Sequence, residues 1–398
     1  MHILTINTGS SSLKAGLYDL DGGEQTVLAA AVERIGQSDS RLLIADASGS
    51  SVLDRTEDLP DHGAALHALL AWMNDAGYTG RVKAVGHRVV HGGKSYSEPQ
   101  LVTDHLLSTL RELVPIDPNH LPQAISAIES TGTAFPERPQ VACFDTAFHR
   151  HMPRVAQMYA LPRWCEELGI LRYGFHGLSY EYIMSELHRI DPTAAGGRIV
   201  IAHLGNGASM AAVRNGVGID TTMGFTPTAG LVMGTRPGDL DPIIPLFLIE
   251  SHHMSPAGVD TLLNAQSGLL GVSETSSDMH DLIAAEGNDP RAAEAVDLFC
   301  YSATKFVGAL VAALGGLDTF IFTGGIGEHA APIRERICAG LGFLGIELER
   351  RRNLEAAPII SRDQCPVIIR VMKTNEDLMI ARHTTHVLQA QGDTHVHV

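Results

Sequence analysis

Short apolar runs alternate with polar, glycine-containing breaks along most of the chain. The first run, residues 3–6, precedes a polar turn and a second strand-like run at residues 15–18. Farther along, the apolar run in "PVIIRV" is followed by a helix-like segment that either Thr374 or Asn375 would cap. Strands that alternate with helices in this way predict an α/β fold.

Four more segments carry the strand pattern, and most of them end at a glycine turn or at a carboxylate. "RVKAVGHRVVHGG" predicts a strand that ends in a glycine loop, and "QVACFD" predicts one that ends at Asp145. "GGRIVIAHLGNGASMAAVRNGVGIDTT" predicts three strands, joined by a glycine-rich turn and a tight Asn-Gly turn. "DTFIFTGGIGEH" predicts a buried strand that ends in glycines, with a helix after it from about residue 331 to residue 340.

The segments "ILTINTGSSSLKAGLYDLDGG" and "IVIAHLGNGASMAAVRNGVG" share a layout of strand, Asn/Gly/Ser turn, second strand and second turn. If this is an internal repeat, the chain contains two similar domains whose turns could grip one phosphate chain from both sides. Identical positions are few, so chance similarity stays an alternative. Tight turns of Gly and Ser present N–H groups and hydroxyls to an anion, and Lys14 adds a positive charge. The first turn alone is equally consistent with an ordinary hairpin that carries a surface lysine.

The composition adds to the predicted fold mainly by excluding other classes of protein. The chain has 398 residues, 44% hydrophobic and 19% charged, as expected for a soluble globular protein with two domains. Its five cysteines include no CxxC pair, which is typical of a reducing cytoplasm. The net charge of −16 argues against a nucleic-acid partner. No export signal precedes the first strand, and the longest apolar run, residues 306–314, is too short for a membrane span, so we expect a cytoplasmic protein.

Three familiar motifs are incomplete or weak. "HRVVH" lacks the glutamate of a zinc-binding helix and has a strand pattern. "HGGKS" ends like a P-loop, but Arg88 occupies the position of the first glycine. "GIGEHA" matches the dinucleotide fingerprint G-x-G-x-x-G/A, yet it lies late in the chain. A NAD-dependent oxidoreductase is therefore a minor alternative, because a glycine turn before a helix serves a nucleotide of any kind.

A set of longer motifs occurs in the order of the acetate and butyrate kinase family, which the chain resembles over nearly its whole length. The motifs are "NTGSSSLK", "GHRVVHGG", "FDTAFH", "YGFHGLS", "HLGNGAS", "DTTMGFTP", "GLVMGTRPGDLDP", "SSDM", "FTGGIGE" and "TNEDLMIA". The resemblance implies a duplicated actin-like, RNase H-like α/β fold of the sugar-kinase-like superfamily, with an active-site cleft between two domains. Domain I would hold residues 1–147 and 376–398, and domain II residues 148–375.

The resemblance also implies the reaction. It is a reversible, Mg²⁺-dependent phosphoryl transfer, direct and in line, from ATP to acetate, giving acetyl phosphate and ADP. Mn²⁺ could replace Mg²⁺, and a homodimer is typical. Propionate or another short-chain fatty acid is the alternative acceptor, and the sequence leaves the acid and the physiological direction open. A non-catalytic actin-like nucleotide-binding protein would instead predict loss of Arg88, Asp145 or Arg236, all of which are present.

Phosphoryl transfer needs charge stabilisation and positioning more than covalent chemistry. The planar guanidinium groups of Arg88 and Arg236 suit both carboxylate and phosphate oxygens. By resemblance, Arg88 also binds the acid, Arg236 stabilises the transition state and Asp145 is the catalytic acidic residue. By resemblance, His176 donates a hydrogen bond to the transferring group and His120 is a second active-site histidine. Either histidine could instead be a hydrogen-bonded core residue.

The resemblance places Asn7 and Glu376 at the metal, and Mg²⁺ prefers one or two carboxylates plus waters and phosphates. Glu376 could instead be a charge at a helix N-terminus. The implied pocket for the acyl group is lined by Val90, Asn119, Phe175 and Pro227. Asn119 stands where the family usually has leucine, which leaves the preferred acid open.

The resemblance assigns ATP to the two Asn/Gly/Ser turns, the "SSDM" segment and "FTGGIGE". His280 stands in place of a usual arginine and His329 in place of a usual asparagine, and both departures could shift the nucleotide preference. The implied ATP-binding residues are Ser10, Ser12, Lys14, His203, Leu204, Gly205, Asn206, Gly207, Asp278, Met279, His280, Gly325, Ile326, Gly327, Glu328 and His329.

Overall fold

Two units of continuous packing make up the chain in a computed structural model that describes residues 1–9 and 11–394, with side chains up to residue 391. Unit 1 contains Met1–Ala147 and the segment that begins at Asn375. Unit 2 contains Phe148–Thr374. Unit 2 is thus inserted into the sequence of unit 1.

The strands and helices of the described residues are numbered in chain order. The strands are β1 (His2–Thr8), β2 (Leu13–Asp19), β3 (Gln25–Glu33), β4 (Ser40–Asp46), β5 (Ser51–Glu57), β6 (Ala84–Val89), β7 (Gln100–Leu101), β8 (Gln140–Phe144), β9 (Arg198–Leu204), β10 (Ala208–Arg214), β11 (Val217–Thr221), β12 (Thr319–Thr323) and β13 (Ile368–Val371). The α-helices are α1 (His62–Asp75), α2 (Asp104–Leu113), α3 (Leu121–Ala134), α4 (Arg154–Gln157), α5 (Arg163–Glu167), α6 (Gly177–Ile190), α7 (Pro192–Ala195), α8 (Ile243–His252), α9 (Pro256–Ala265), α10 (Gly268–Ser273), α11 (Met279–Ala285), α12 (Pro290–Leu314), α13 (Gly324–His329), α14 (Ala331–Ala339), α15 (Arg350–Leu354) and α16 (Glu376–Thr394).

The sheet of unit 1 has the order β5-β4-β3-β2-β1-β6-β8-β7. Strands β1 to β5 form an antiparallel meander, whereas β6 runs parallel to β1 and β8 runs parallel to β6. Helices α1 and α3 pack on one face, where Val85 joins their core cluster. The neighbouring Gly86 faces Ile380 and Thr384 of α16, because successive strand residues point to opposite faces. The sheet is therefore buried on both sides around β1 and β6.

The sheet of unit 2 has the order β11-β10-β9-β12-β13. It repeats the pattern of β3-β2-β1-β6-β8: two antiparallel pairings followed by two parallel ones. The predicted Asn-Gly turn joins β10 to β11, with φ of 52° at Asn215 and 77° at Gly216. Positive φ at both positions suits Asn and Gly and matches the twist of a hairpin. The similarity between the two turn segments therefore extends to the strand pairing around them.

One element, α13, differs from the sequence-based expectation. The glycines of "GGIGE" do not form a loop, because α13 begins at Gly324, directly after β12. Gly324 has φ of 77°, and a Cβ there would lie 2.7 Å from the carbonyl oxygen of Leu204. Glycine thus permits a sharp transition from strand to helix that the pattern analysis assigned to a turn. The predicted helix after it is α14, which begins at Ala331 and ends at Ala339.

Helix α12 meets the length and apolarity of a membrane span, which the shorter apolar run within it did not reveal. It packs inside unit 2 against α10, α11 and β10, and its buried positions recur along one face, from Ala292 to Leu314. This packing is typical of a core helix of an α/β domain.

Candidate functional site

In unit 1, three parallel strands bring polar side chains to the same edge of the sheet. Asn7 is the penultimate residue of β1, Arg88 lies near the end of β6, and Asp145 follows β8 directly. The Nε and Nη2 atoms of Arg88 donate to Oδ2 of Asp145 over 2.9 and 2.6 Å, and its Nη1 donates to Oδ1 of Asn7 over 3.1 Å. Asn7 Nδ2 in turn donates to Oε2 of Glu376 over 3.2 Å. The carboxyl ends of parallel strands are the usual ligand-binding edge of such sheets.

Burial and neighbouring charges together set the pKa values in this cluster. Asp145 is 1% exposed, and burial raises the pKa of its carboxyl group, against the opposing effect of Arg88. For Arg88, burial lowers the pKa, but the nearby Asp145 and Glu376 outweigh it and the net pKa is raised. Arg88 therefore stays positively charged. Oδ1 of Asp145 is buried and has no hydrogen-bond partner among the described protein groups, so it can accept from a ligand or a metal-bound water.

These residues fit Mg²⁺ better than a transition metal. The described residues contain no group of three His, Cys, Asp or Glu side chains arranged for a metal ion. What they offer is the Glu376 carboxylate, the Asn7 amide and the unpaired oxygen of Asp145. Such a set of oxygen donors suits Mg²⁺, which takes its remaining ligands from water and phosphate.

The other predicted site residues of unit 1 differ in their burial and in their hydrogen-bond partners. His120 Nδ1 is 2.7 Å from Oδ1 of the buried Asp117, a partner that the sequence did not suggest. Val90 is 5% exposed, whereas Asn119 is exposed. Gly9 donates its N–H to the carbonyl oxygen of Ser12, closing the first turn.

Lys14 is exposed on β2, opposite Asn7 in the strand pairing. Ser12 is half-buried in the first turn. The predicted ATP contact at Ser10 lies outside the described residues. The turn therefore presents Ser12 and Lys14 on the strand pair that also carries Asn7.

In unit 2, the tips of two predicted catalytic side chains meet at the glycine turn between β9 and β10. A Cβ at Gly207 would lie 2.8 Å from Nη2 of Arg236 and 3.4 Å from Nε2 of His176. Arg236 is held by a 2.7 Å hydrogen bond from Nη1 to the carbonyl oxygen of Pro227. His176 precedes α6 with φ of 59°, a left-handed conformation that non-glycine residues seldom adopt. Any larger residue than glycine at 207 would occupy the space in front of both groups.

The imidazoles of His176 and His203 stack, with ring centroids 4.4 Å apart and planes 23° apart. Each ring is held through its Nδ1 atom by a fully buried serine. His176 Nδ1 is 2.8 Å from Oγ of Ser209, and His203 Nδ1 is 2.8 Å from Oγ of Ser179. This leaves the Nε2 edge of both rings directed toward the glycine turn, where His203 Nε2 would be 3.9 Å from a Cβ at Gly205.

A cavity of about 590 Å³ adjoins the same turn. Its volume falls within the range of small-molecule sites, and its wall includes the apolar residues Ile283, Ala284 and Pro332. The predicted ATP-binding residues that line it are Gly205, Asn206, Asp278, Met279, His280, Gly325, Ile326 and His329.

Other predicted site residues of unit 2 do not line the cavity. Leu204 and Gly327 are buried. Oε1 of Glu328 accepts from the N–H groups of Gly324 and Thr374 over 3.1 and 3.3 Å, so this oxygen stabilises the start of α13. Phe175 is 1% exposed, and its carbonyl oxygen accepts from Nε2 of His149.

Sequence reasoning missed the residues that hold the histidines. These are Asp117, Ser179, Tyr180, Ser209 and Thr374. Two signals were available in the sequence. Ser179 and Tyr180 lie three and four residues after His176 in "HGLSY", the spacing of one helical face, and Ser209 pairs with His203 across the hairpin.

The chain is similar to known proteins over nearly its whole length. The model of the acetokinase family matches residues 2–382. Acetate kinase of Methylocella silvestris is 43% identical over 396 residues, which is 97% of this chain and 98% of that protein. Acetate kinase of Rhodopseudomonas palustris is 44% identical over 390 residues, which is 96% of this chain and 97% of that protein.

Two solved structures are also similar. A propionate kinase from Francisella tularensis superposes with a TM-score of 0.90 at 34% identity, over 96% of this chain and 98% of that chain. Porphyromonas gingivalis acetate kinase superposes with a TM-score of 0.86 at 36% identity, over 97% of this chain and 99% of that chain. These similarities confirm the predicted fold class, the duplicated actin-like α/β fold.

Proposed function

This chain belongs to the acetokinase family, and from that membership we propose that it transfers the γ-phosphoryl group of ATP reversibly to acetate. The products are acetyl phosphate and ADP. The observation that carries the proposal is the meeting of Arg236 and His176 at Gly207, next to a cavity of the size of a nucleoside site. A cation and an imidazole at a glycine turn are suited to the charge that spreads over a phosphoryl group during transfer.

Unit 1 supplies the acceptor side of the proposed reaction. Acetate is already ionised at neutral pH, so it needs a binding cation and not a strong base. Arg88 is held by Asp145 and Asn7 with its charge preserved, and we assign it to the acetate carboxylate. Because direct in-line transfer needs no covalent enzyme intermediate, the protein has only to position two anions and stabilise their charge.

Glu376, Asn7 and Asp145 would hold the metal ion and its waters. When bound, Mg²⁺ neutralises phosphate charge and orients the phosphoryl group. We propose ATP contacts at Ser12 and Lys14 on the first turn of unit 1. In unit 2 we propose ATP contacts at His203, beside the glycine turn, and at Asn206 and the other predicted residues that line the cavity. Phe175, Pro227 and Val90 remain the proposed acyl contacts.

The experiment that tests the proposal is a hydroxamate assay of acyl phosphate, with MgATP and acetate, propionate or butyrate. Acetate with the highest kcat/KM supports the proposal. A longer acid with the highest kcat/KM would keep the phosphotransferase and replace its substrate. Absence of acyl phosphate from every acid would contradict the proposal. Repeating the assay with GTP tests whether His280 and His329 alter the base preference.

We further propose that the protein is a cytoplasmic homodimer. Helix α8 has no buried residue, and Ile243, Leu246 and Phe247 are 62%, 50% and 53% exposed. Contiguous apolar side chains of this kind are typical of an interaction surface. Sedimentation should show a dimer that Phe247→Glu dissociates, whereas a monomeric wild-type protein would contradict the proposal.

A further inference from the structure

Two chains of hydrogen-bonded hydroxyl groups, all buried except the half-buried Thr374, end on the stacked imidazoles of unit 2. One chain runs from Tyr180 Oη to Ser209 Oγ to His176 Nδ1, and the other from Thr374 Oγ1 to Ser179 Oγ to His203 Nδ1. We propose that Tyr180 and Ser209 are positioning residues that hold His176 as the neutral tautomer with its proton on Nε2. His176 then donates to the phosphoryl group without carrying a charge. This inference rests on the role of His176 in the proposed function.

The relative acidity of the two hydroxyl groups decides which of them donates the hydrogen bond in the first chain. Tyr180 and Ser209 are both fully buried, and their oxygen atoms are 2.5 Å apart. A phenol, with a pKa near 10, is a much stronger acid than an aliphatic alcohol, so the Tyr180 hydroxyl donates to Ser209 Oγ. Ser209 has one hydroxyl hydrogen, and it is then directed to His176 Nδ1. An imidazole that accepts at Nδ1 carries its proton on Nε2.

The second chain gives the opposite tautomer. Ser179 Oγ donates to Thr374 Oγ1 over 2.9 Å, which uses its only hydrogen. Ser179 must therefore accept from His203, whose proton is on Nδ1. The two stacked histidines thus differ in the ring nitrogen that carries the proton.

Charge favours the neutral form of His176. The Arg236 guanidinium and His176 Nε2 approach the same point at Gly207, and the His203 ring stacks at 4.4 Å. A second positive charge beside Arg236 would be repelled, whereas a neutral N–H donor is not. The hydroxyl chain therefore provides a hydrogen-bond donor at a position where an imidazolium is disfavoured.

The first test is a long-range ¹H–¹⁵N spectrum of the ¹⁵N-histidine-labelled protein at pH 7.5, with the two rings identified by signal loss in His176→Gln and His203→Gln. We expect His176 to carry its proton on Nε2 and His203 on Nδ1. A doubly protonated His176, or a proton on its Nδ1, would overturn the inference. This readout does not depend on enzymatic activity.

The second test is kinetic. Tyr180→Phe removes one oxygen atom and should lower kcat about 5- to 10-fold, the effect of one lost hydrogen bond, with each KM within about twofold. Ser209→Ala should act in the same direction. Tyr301→Phe, which removes the same atom from a tyrosine that is 66% exposed on α12, is the matched control and should leave kcat unchanged. Wild-type kcat in both Tyr180→Phe and Ser209→Ala would overturn the inference.

The two levels of the proposal fail differently. Normal turnover in His176→Gln would remove His176 from the proposed reaction, and the inference about its catalytic use would fall with it. Impaired turnover in His176→Gln, with wild-type kcat in both Tyr180→Phe and Ser209→Ala, would overturn the positioning role alone.

Discussion

Arg88 and Arg236 are the two residues on which the proposed chemistry depends most. Arg88 is fixed by Asp145 and Asn7, and Arg236 is fixed by the carbonyl oxygen of Pro227, so each charge is oriented before substrate binds. We expect Arg88→Ala and Arg236→Ala each to lower kcat at least about 10²-fold, on the order of 3 kcal/mol, as for loss of a preorganised charge donor. Steady-state kinetics checks this. Arg41→Ala, which removes an exposed arginine paired with Asp54, should not change kcat.

Glu376 is the residue that decides the metal assignment. Its carboxylate accepts from Asn7, and its removal should weaken Mg²⁺ binding without unfolding α16. We expect Glu376→Gln to raise the Mg²⁺ concentration for half-maximal activity several-fold in a metal titration. Glu24→Gln, at an exposed ion pair with Arg382, is the control. If Glu376→Gln has the metal dependence of the wild-type protein, Glu376 is not a metal ligand.

Asn119 is exposed, although the resemblance places it beside an apolar acyl group. If it lines the acyl pocket, Asn119→Leu should raise kcat/KM for acetate relative to butyrate, because a leucine fills space that a longer chain needs. The acid profile from the hydroxamate assay measures this. An unchanged profile would show that Asn119 does not contact the acid.

At this scale, the sequence predicted the residues that stand in glycine-rich or otherwise distinctive motifs, such as Arg88, Asp145 and Arg236. It did not predict the residues that hold the site histidines. Asp117, Ser209 and Thr374 have common side chains in unremarkable surroundings, and only the folded strands and helices bring them to the histidines. Sequence motifs indicate which side chains could react or bind. The residues that hold those side chains in place come from distant segments, and only the fold brings them together.

Helix α13 is the element whose stability should control nucleotide binding. Gly325, Ile326 and His329 line the cavity, and Arg334 holds the far end of the helix. Arg334 is fully buried and donates from Nη1 to the carbonyl oxygens of Gly327 and Glu328, over 2.9 Å each. The end of α13 is therefore stabilised by a side chain of α14.

We expect Arg334→Met to destabilise the protein by about 3 kcal/mol, since it leaves several buried carbonyl groups without donors. It should also raise KM for ATP more than KM for acetate. Thermal unfolding and steady-state kinetics measure the two effects. Arg351→Met, at an exposed pair with Glu355, is the control for loss of a surface guanidinium. A selective rise in KM for acetate would contradict this account of α13.

Most predicted strands were correct, because buried strands of parallel sheets are continuous apolar runs that end at glycine or aspartate. The exception among the site elements was α13. Its glycines have low helix propensity, and the helix is stabilised by Glu328 at its start and Arg334 at its end. Tertiary hydrogen bonds override local propensity here, and propensity was the only signal in the sequence.

At the scale of the whole molecule, each unit contains a buried histidine whose pKa is lowered by burial. Burial lowers the pKa of His87 in unit 1 and of His149 in unit 2 to about 4. The unfolded chain takes up protons near pH 6.5, so between pH 6.5 and pH 4 it binds more protons than the folded chain. The contribution of these two histidines to the free energy of unfolding should therefore be fully present above pH 6.5, and it should decrease as the pH falls toward pH 4.

We expect roughly 2 kcal/mol of lost stability per histidine between pH 6.5 and pH 5. Urea unfolding at several pH values measures this. His87→Gln, which can still donate to Gln140, should flatten the pH dependence, while the exposed His67→Gln should not. Equal slopes for His87→Gln and the wild-type protein would contradict the role of His87.

The duplicated architecture was partly readable from the sequence. Matching turns suggested a repeat, and the strand pairing of β1 and β2 with β6 and β8 recurs in β9 and β10 with β12 and β13. The additional strands β4, β5 and β7 have no counterpart in unit 2 and obscured the correspondence.

The insertion of unit 2 within unit 1 also has a consequence for biosynthesis. Strands β1 and β6 leave the ribosome early, but α16, which covers one face of their sheet, is translated only after all of unit 2. At about 5–20 residues per second, the nascent sheet waits roughly ten to fifty seconds with apolar side chains uncovered. Unit 2 is therefore translated completely before unit 1, and the sheet of unit 1 can be covered on this face only after α16 has left the ribosome.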